Sequence, residues 1–349
     1  MKLPQALDRR LLIVVGAGGV GKTTLAAALG MVLARAGADT LVMTFDPSRR
    51  LKDALGVGRV PVDTPGALHA SLLDAQTTFD GLVRRYAPDG AAATRIFENR
   101  FYRHLAGSLA GVLEYMAVER LFEVARDSQF QRIILDTPPT RQALDFLQAP
   151  ERITEFLASD TLRLARRSWF DPQGNLRLAR LGPVGRKIAK WLDTLVGLDL
   201  LREVAEFFQA FGPLYDGFRE RAAAVQKLLR ARETGFILVT GPGAERIPDM
   251  LFFARRLREA GHDLRLIIVN QVHPVVAGQP SLEPGEESDG LRLLAWLGEH
   301  HRRGLDELSK VLGPKDPWVS LPLLPETPAG LPALEALGTT LFDRISQRF

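Results

Sequence analysis

The sequence predicts an α/β fold: a doubly wound, mostly parallel sheet flanked by helices, with a helical insertion in the middle of the chain. Two observations predict it. Short apolar runs rich in β-branched residues recur along the chain with helical stretches between them, the pattern of strands buried on both faces. One of these runs leads through a glycine-rich turn directly into a helix. Taken in order, Leu11–Val15 is the first strand, and the helix from Lys22 to Ala36 follows its turn. Leu41–Phe45 is the next strand, and Ile133–Leu135 is a third that ends in Asp136. Phe236–Val239, Leu264–Val269 and Val319–Leu321 complete the set.

The pattern changes between Glu151 and Arg232. Apolar residues there fall at helical spacing, as in Val204, Phe207, Phe208 and Phe211, with Arg163, Arg166, Arg167, Arg186, Lys187 and Lys190 among the basic residues between them. The expected organisation is therefore a nucleotide-binding domain from 1–150 and 233–349 with a helical subdomain at 151–232. Pro274–Gly290, rich in Pro, Gly, Ser and Glu, reads as a loop. The chain of 349 residues is long enough for a large core, and its 25% charged residues are ordinary for a globular protein. A net charge of +4 is modest at this length. It favours a solvated Arg-rich surface over a nucleic-acid partner. There are no cysteines, which excludes disulfides, thiolate zinc sites, Cys-ligated iron–sulfur clusters and thiol capture of metalloids. The N-terminus has no leader pattern and no run reaches about eighteen apolar residues, so the expected location is the cytoplasm.

The glycine-rich turn is the most specific signal. Gly16-Ala17-Gly18-Gly19-Val20-Gly21-Lys22-Thr23-Thr24 follows a strand and opens a helix, as the G-x4-G-K-[ST] phosphate loop requires. Glycines let backbone N–H groups turn inward around phosphate oxygens, and the helix N-terminus adds a positive dipole. The residues expected to cradle ATP are Gly18, Gly19, Val20, Gly21, Lys22, Thr23 and Thr24. Lys22 should neutralise the β- and γ-phosphates, and the Thr23 hydroxyl should ligate Mg2+. Asp136, at a strand end beside that loop, reads as the carboxylate that holds the metal through water. Asp46, at the end of Leu41–Phe45, is placed to orient the attacking water. The fold is thus expected to be that of a P-loop NTPase, and the activity hydrolysis of ATP to ADP and phosphate.

These residues together resemble the ArsA-type ATPases, which include arsenite-pump ATPases and the ATPases that deliver tail-anchored membrane proteins. Gly16–Thr24 resembles the family's deviant Walker A motif, Asp46–Leu55 its switch I and Asp136–Leu147 its switch II. Ile268-Val269-Asn270-Gln271 resembles its adenine-recognising strand end, and Leu321–Pro325 the loop that covers the base. Phe101–Glu119 resembles a bacterial branch often encoded as paired paralogues. The resemblance implies that Asp46 activates water, that Asn270 and Pro322 meet adenine, and that two chains close face to face around nucleotide. It also implies that the helical insertion carries the surface for a membrane-protein or tail-anchored client. Two departures matter. The family's second lysine, which reaches the partner's phosphates, is Ala17 here, and the thiols that bind zinc or arsenite are missing. A missing trans cation is costly, since comparable arginine fingers give about 10^3–10^5 in rate. Ala17 therefore points either to pairing with a paralogue that keeps the lysine or to a slow homodimer in which Arg49 or Arg50 substitutes. A nucleotide-binding subunit with little hydrolysis of its own, and a partition-like ATPase on DNA or membrane, are the rivals. The weakly amphipathic run Leu331–Phe349 keeps the last of these open.

Other residues carry less. Leu195, Leu198, Leu201, Phe207, Phe208 and Phe211 fit either a groove for an apolar helix or ordinary helix packing. Trp169-Phe170 reads as a local anchor, and His300-His301, beside Arg302 and Arg303, as a solvated face. Glu114 and Glu119 read either as contacts to the switches or as surface salt links, and Gly241-Pro242-Gly243 as a loop at the sheet's C-terminal edge.

Overall fold

The computed structural model describes residues 3–45, 50–87, 89–99, 112–158, 215–275, 286–313 and 316–348. Asp46–Arg49, Phe101–Gly111, Trp169-Phe170, the basic residues from Arg163 to Lys190 and the apolar positions from Leu195 to Phe211 lie outside the described residues. Within them the chain forms two compact units. One comprises Met1–Leu73, Val124–Leu144 and Leu228–Phe349, and the other Asp74–Glu123 and Asp145–Lys227.

The first unit is built on one eight-stranded sheet of order β3-β4-β2-β5-β1-β6-β7-β8. Its strands are β1 (Leu11–Gly16), β2 (Thr40–Thr44), β3 (Gly58–Val60), β4 (Leu68–Leu72), β5 (Arg132–Asp136), β6 (Thr234–Thr240), β7 (Leu264–Val272) and β8 (Trp318–Pro322). All neighbours pair in parallel except β3, which runs antiparallel to β4 at the edge. Strand β1 is central. The chain winds first to the side of β2 and then, from β6 onward, to the other side. A doubly wound sheet reverses direction in this way, and it opens a ligand crevice at the carboxyl ends of its central strands. The apolar runs form these strands because each is buried on both faces: Leu11 to Val15 and Phe236 to Val239 are at most 2% exposed.

Helix α1 (Lys22–Arg35) packs under the sheet, and every residue from Leu25 to Ala34 is buried. Small residues make that possible. A Cβ on Gly30 would lie 2.5 Å from Val42 Cγ2. The final helix is α10 (Gly330–Arg348), whose Leu334, Leu337, Leu341 and Ile345 are buried. It crosses α1 at Gly338, where a Cβ would stand 2.7 Å from the carbonyl oxygen of Ala28. The apolar face of the Leu331–Phe349 run is therefore core, and it is not available as a membrane-surface helix. Between these come α2 (Arg50–Leu55), a 3-10 turn at Ala244–Arg246, α8 (Ile247–Glu259) and α9 (Glu286–Val311). Helix α9 begins inside the stretch that the composition marks as loop. Among the described residues no helix is long and apolar enough to cross a membrane.

The second unit holds α3 (Ala75–Tyr86), α4 (Gly90–Glu98), most of α5 (Val112–Arg126), the greater part of α6 (Thr140–Ala158) and most of α7 (Tyr215–Leu229). Asp74 caps α3, accepting from the Thr77 N–H at 3.0 Å. Its aromatic centre is Phe79, Tyr115 and Phe218, with Phe218 at 6.3 Å edge-on from Phe79 and 5.9 Å from Tyr115. Glu119 is fully buried there, paired with Arg221 and accepting from the Tyr115 hydroxyl at 3.2 Å. The residue is thus an internal ion-pair partner between α5 and α7 rather than a surface link.

Candidate functional site

The carboxyl ends of β1, β2, β5, β7 and β8 bring the sequence-predicted residues to one edge of the first unit. The glycine-rich loop leaves β1 at Gly16 and enters α1 at Lys22. Two glycines carry the turn in the left-handed region, Gly19 at φ 78° and Gly21 at φ 88°. Gly21 is also the N-cap of α1, so the helix has no side-chain cap, and its first turn holds no acidic residue. Its leading N–H groups and dipole are left for an anion. Gly18 and Gly19 are exposed, and Thr23 and Thr24 are half-buried. Lys22 is buried, and its Nζ donates to the Ala17 carbonyl at 2.9 Å, curling back over its own loop. A Cβ on Gly18 would lie 3.8 Å from Pro139, so the loop lies beside the Asp136-Thr137-Pro138-Pro139 segment.

Asp136 ends β5 and is fully buried. Its Oδ2 accepts from the Thr23 hydroxyl at 2.7 Å and from the Thr44 hydroxyl, at the end of β2, at 2.9 Å. Thr137 ties the same segment to β1, its N–H and hydroxyl both donating to the Val14 carbonyl, at 3.2 and 2.8 Å. The sequence reading does not single out Thr44; a hydroxyl at a strand end, directly in register with the β5 carboxylate, is the signal that could have found it. The donor set at this point is oxygen alone, a hydroxyl and a carboxylate, which suits a hard cation such as Mg2+ rather than a thiophilic one. Among the described residues no cluster of three or more His, Cys, Asp or Glu is arranged to hold a metal ion. Asp46 follows β2 but lies outside the described residues.

The other half of the site is the end of β7. Pairing with β8 is regular to Val269↔Ser320 and resumes at Val272↔Pro322, so Asn270 and Gln271 fall in an irregularity. Gln271 takes φ 63°, the one left-handed non-glycine among the described residues. Asn270 is 9% exposed, and its Nδ2 donates to the Val20 carbonyl at 2.9 Å. That bond fixes the amide's orientation: one of the two Nδ2 hydrogens is used on the phosphate loop and Oδ1 is left as an acceptor. Asn270 also bears on Gly21, where a Cβ would stand 2.5 Å from Nδ2. Pro322 and Leu323 are exposed at the end of β8.

Sequence comparison gives this geometry its family. The profile of the anion-transporting (ArsA) ATPases matches residues 9–343. The chain belongs to that family. The ArsA-type assignment covers the glycine-rich loop, the Asp136 segment and the β7 end alike, and this P-loop ATPase binds and hydrolyses ATP. Among its relatives, "ATPase GET3B" of Arabidopsis thaliana is 26% identical over 359 residues, covering 96% of this chain and 79% of that protein. "Uncharacterized protein SCO2128" of Streptomyces coelicolor is 28% identical over 320 residues, 87% of this ATPase and 76% of the relative. "ATPase GET3" of Malassezia globosa is 30% identical over a shorter stretch, 41% of this ATPase and 43% of the relative.

Proposed function

We propose that this ArsA-family ATPase takes the triphosphate of ATP on the N–H groups of Gly18 to Thr24 and its base on Asn270 and Pro322. The single observation that carries the reading is the uncapped start of α1, with Lys22 at its first position and Thr23 against the buried Asp136. Lys22 turns from the Ala17 carbonyl to the phosphates, where its hydrogen bonds are charge-assisted. Thr23 and, through water, Asp136 hold Mg2+, which when bound neutralises charge developing on the phosphate oxygens. Asp46 accepts a proton from the attacking water. Oδ1 of Asn270 accepts from the exocyclic amine of adenine, and the same oxygen would face the 6-oxo acceptor of guanine, so the site favours ATP over GTP.

Binding and hydrolysis then open and close a dimer, with the Asp46 and Asp136 segments sensing the γ-phosphate. The 151–232 region carries the surface for a membrane-protein or tail-anchored client, in the cytoplasm. Ala17 leaves the chain without a cation for its partner's phosphates, which supports a heterodimer with a paralogue that keeps the lysine. The support from relatives is at family level: those named ATPase GET3 and GET3B are similar over part or most of the chain.

The test is single-turnover hydrolysis with and without Mg2+ for wild type, Lys22→Ala and Asp46→Asn. Lys22→Ala should lose binding, while Asp46→Asn should bind and not hydrolyse. Wild-type turnover by Asp46→Asn would refute the assignment of the base, and magnesium-independent wild-type binding would refute the Thr23–Asp136 role. Adding a lysine-bearing paralogue should raise turnover. A faster homodimer on Ala17→Lys, with no paralogue effect, would favour the slow homodimer.

A further inference from the structure

Helix α9 lies across the exits of β6 and β7 on an unusual face. Gly298, His301 and Gly304 are spaced three apart and so share one side of the helix. A Cβ on Gly298 would stand 2.3 Å from the Pro274 carbonyl oxygen, and one on Gly304 would stand 2.2 Å from that of Pro242. The two glycines let the helix approach bare backbone at both exits, and the side chain between them is His301. Its Nδ1 accepts the backbone N–H of His273 at 3.1 Å. The carbonyl of the same peptide unit, Val272, accepts the Leu323 N–H at 2.8 Å. The Val272–His273 peptide is thus held on both edges, by α9 on one side and by the β8 exit on the other. Immediately upstream stand Gln271 in its left-handed conformation and Asn270 on the phosphate loop. A backbone in that region persists only where its surroundings hold it.

We infer that His301 is a positioning residue for base recognition: its unprotonated Nδ1 holds the Val272–His273 peptide, and acid releases that peptide and with it the set of Asn270. The inference rests on the reading of Asn270 as the adenine contact. Only the neutral ring with its proton on Nε2 can accept from His273, since a protonated Nδ1 would present a donor to a donor. The surroundings decide when that happens. Burial of the ring pushes its pKa below the ordinary histidine value, and the neighbouring His273 and His300 push it the same way. The His273 ring, just past the end of β7, lies 5.1 Å away and that of His300, from α9 itself, 6.1 Å. Glu245, on the 3-10 turn, is the acidic group among these neighbours, and it lies 3.4 Å from His300 Nε2 rather than on His301. On α9, Arg302 and then Arg303 hydrogen-bond Glu299 and hold its carboxyl at about 2, so it stays charged throughout. A ring whose folded pKa is lowered keeps its contact through the ordinary histidine value of about 6.5 and loses it only as pH falls through the lower folded value.

The experiment is calorimetric titration of the full chain with Mg-ATP and with Mg-tripolyphosphate, which lacks a base, at about pH 7.5 and about pH 4.5, well below the ordinary histidine value. Wild type should lose about five-fold in affinity for ATP relative to tripolyphosphate on acidification, the equilibrium worth of one ordinary hydrogen bond. His301→Asn, whose Oδ1 falls near the position of Nδ1 and does not titrate, should bind as wild type at the higher pH and lose the acid effect. His301→Leu should show the acid level at both. A wild-type acid response in His301→Asn, or wild-type affinity in His301→Leu, overturns the inference. Asn270→Ala separates it from the underlying reading: an unchanged ATP-to-tripolyphosphate ratio in that variant means the base lies elsewhere. The latch is then read without nucleotide from amide exchange at His273, whose protection should fall about five-fold in acid for wild type and stay constant in His301→Asn. Equal protection of the wild-type amide at both pH values overturns the latch.

Discussion

Gly19→Ala and Gly21→Ala form a pair that isolates how the two halves of the site are joined. Both glycines are left-handed, at φ 78° and 88°. An alanine there costs about 1–2 kcal/mol in backbone strain alone. At Gly19 nothing stands within 4 Å of the added Cβ, so strain is the whole effect. At Gly21 the Cβ arrives 2.5 Å from Asn270 Nδ2, and a side chain 9% exposed has little room to retreat. Asn270 must turn, breaking its 2.9 Å bond to Val20. That adds about 1 kcal/mol, or about five-fold in an equilibrium. Gly21→Ala should therefore weaken Mg-ATP about five-fold more than Gly19→Ala does, and it alone should erode preference for ATP over GTP. Calorimetry with both nucleotides on both variants measures this. Equal losses, with nucleotide preference intact in each, would refute the reasoning that Gly21 carries the contact between phosphate loop and base edge.

Further outcomes follow from other contacts. Lys22→Ala should weaken ATP by at least about ten-fold through a missing charge-assisted bond to phosphate, read by calorimetry with Mg-ATP. Arg221→Leu leaves the fully buried Glu119 without its guanidinium and should cost about 3–5 kcal/mol in urea unfolding of the second unit, with Glu119→Gln/Arg221→Leu recovering much of it. His262 has its pKa lowered by burial, against a raising contact with the Leu229 carbonyl at 3.2 Å. Stability should therefore be full above about pH 6.5 and fall below it, and melting of His262→Asn against pH should show a shallower acid slope.

The central strands were legible because burial on both faces demands continuous apolar runs, and Leu11–Val15 or Leu264–Val269 can hardly be anything else. The sheet edge was not. Leu68-His69-Ala70-Ser71-Leu72 has no β-branched residue and Gly58-Arg59-Val60 is three residues long, so β4 and β3 exist by pairing with neighbours rather than by local preference. The phosphate loop was legible because its chemistry is local: the glycines, Lys22 and Thr23 are contiguous. What escaped notice depends on tertiary approach. Thr44 matters only because β2 lies against β5. His301 reads as one more polar residue in an Arg-rich helix, and becomes a backbone acceptor only because Gly298 and Gly304 let α9 descend on the β7 exit. Glu119 likewise resembles any helix-surface acid until Arg221, about a hundred residues on, covers it.

The crossing of α1 by α10 at Gly338 has a bearing on how the protein is made. The helix that presents Lys22 leaves the ribosome about three hundred residues ahead of its rear wall, Leu334 to Ile345. Until those leucines arrive, an alanine-rich rod that cannot hold itself together in water waits for cover. Synthesis runs at roughly 5–20 residues per second, so the wait lasts on the order of tens of seconds. A nascent chain halted before Gly330 should fail to retain a nucleotide that a chain extended through Arg348 retains, which makes acquisition of the triphosphate a marker that α10 has docked.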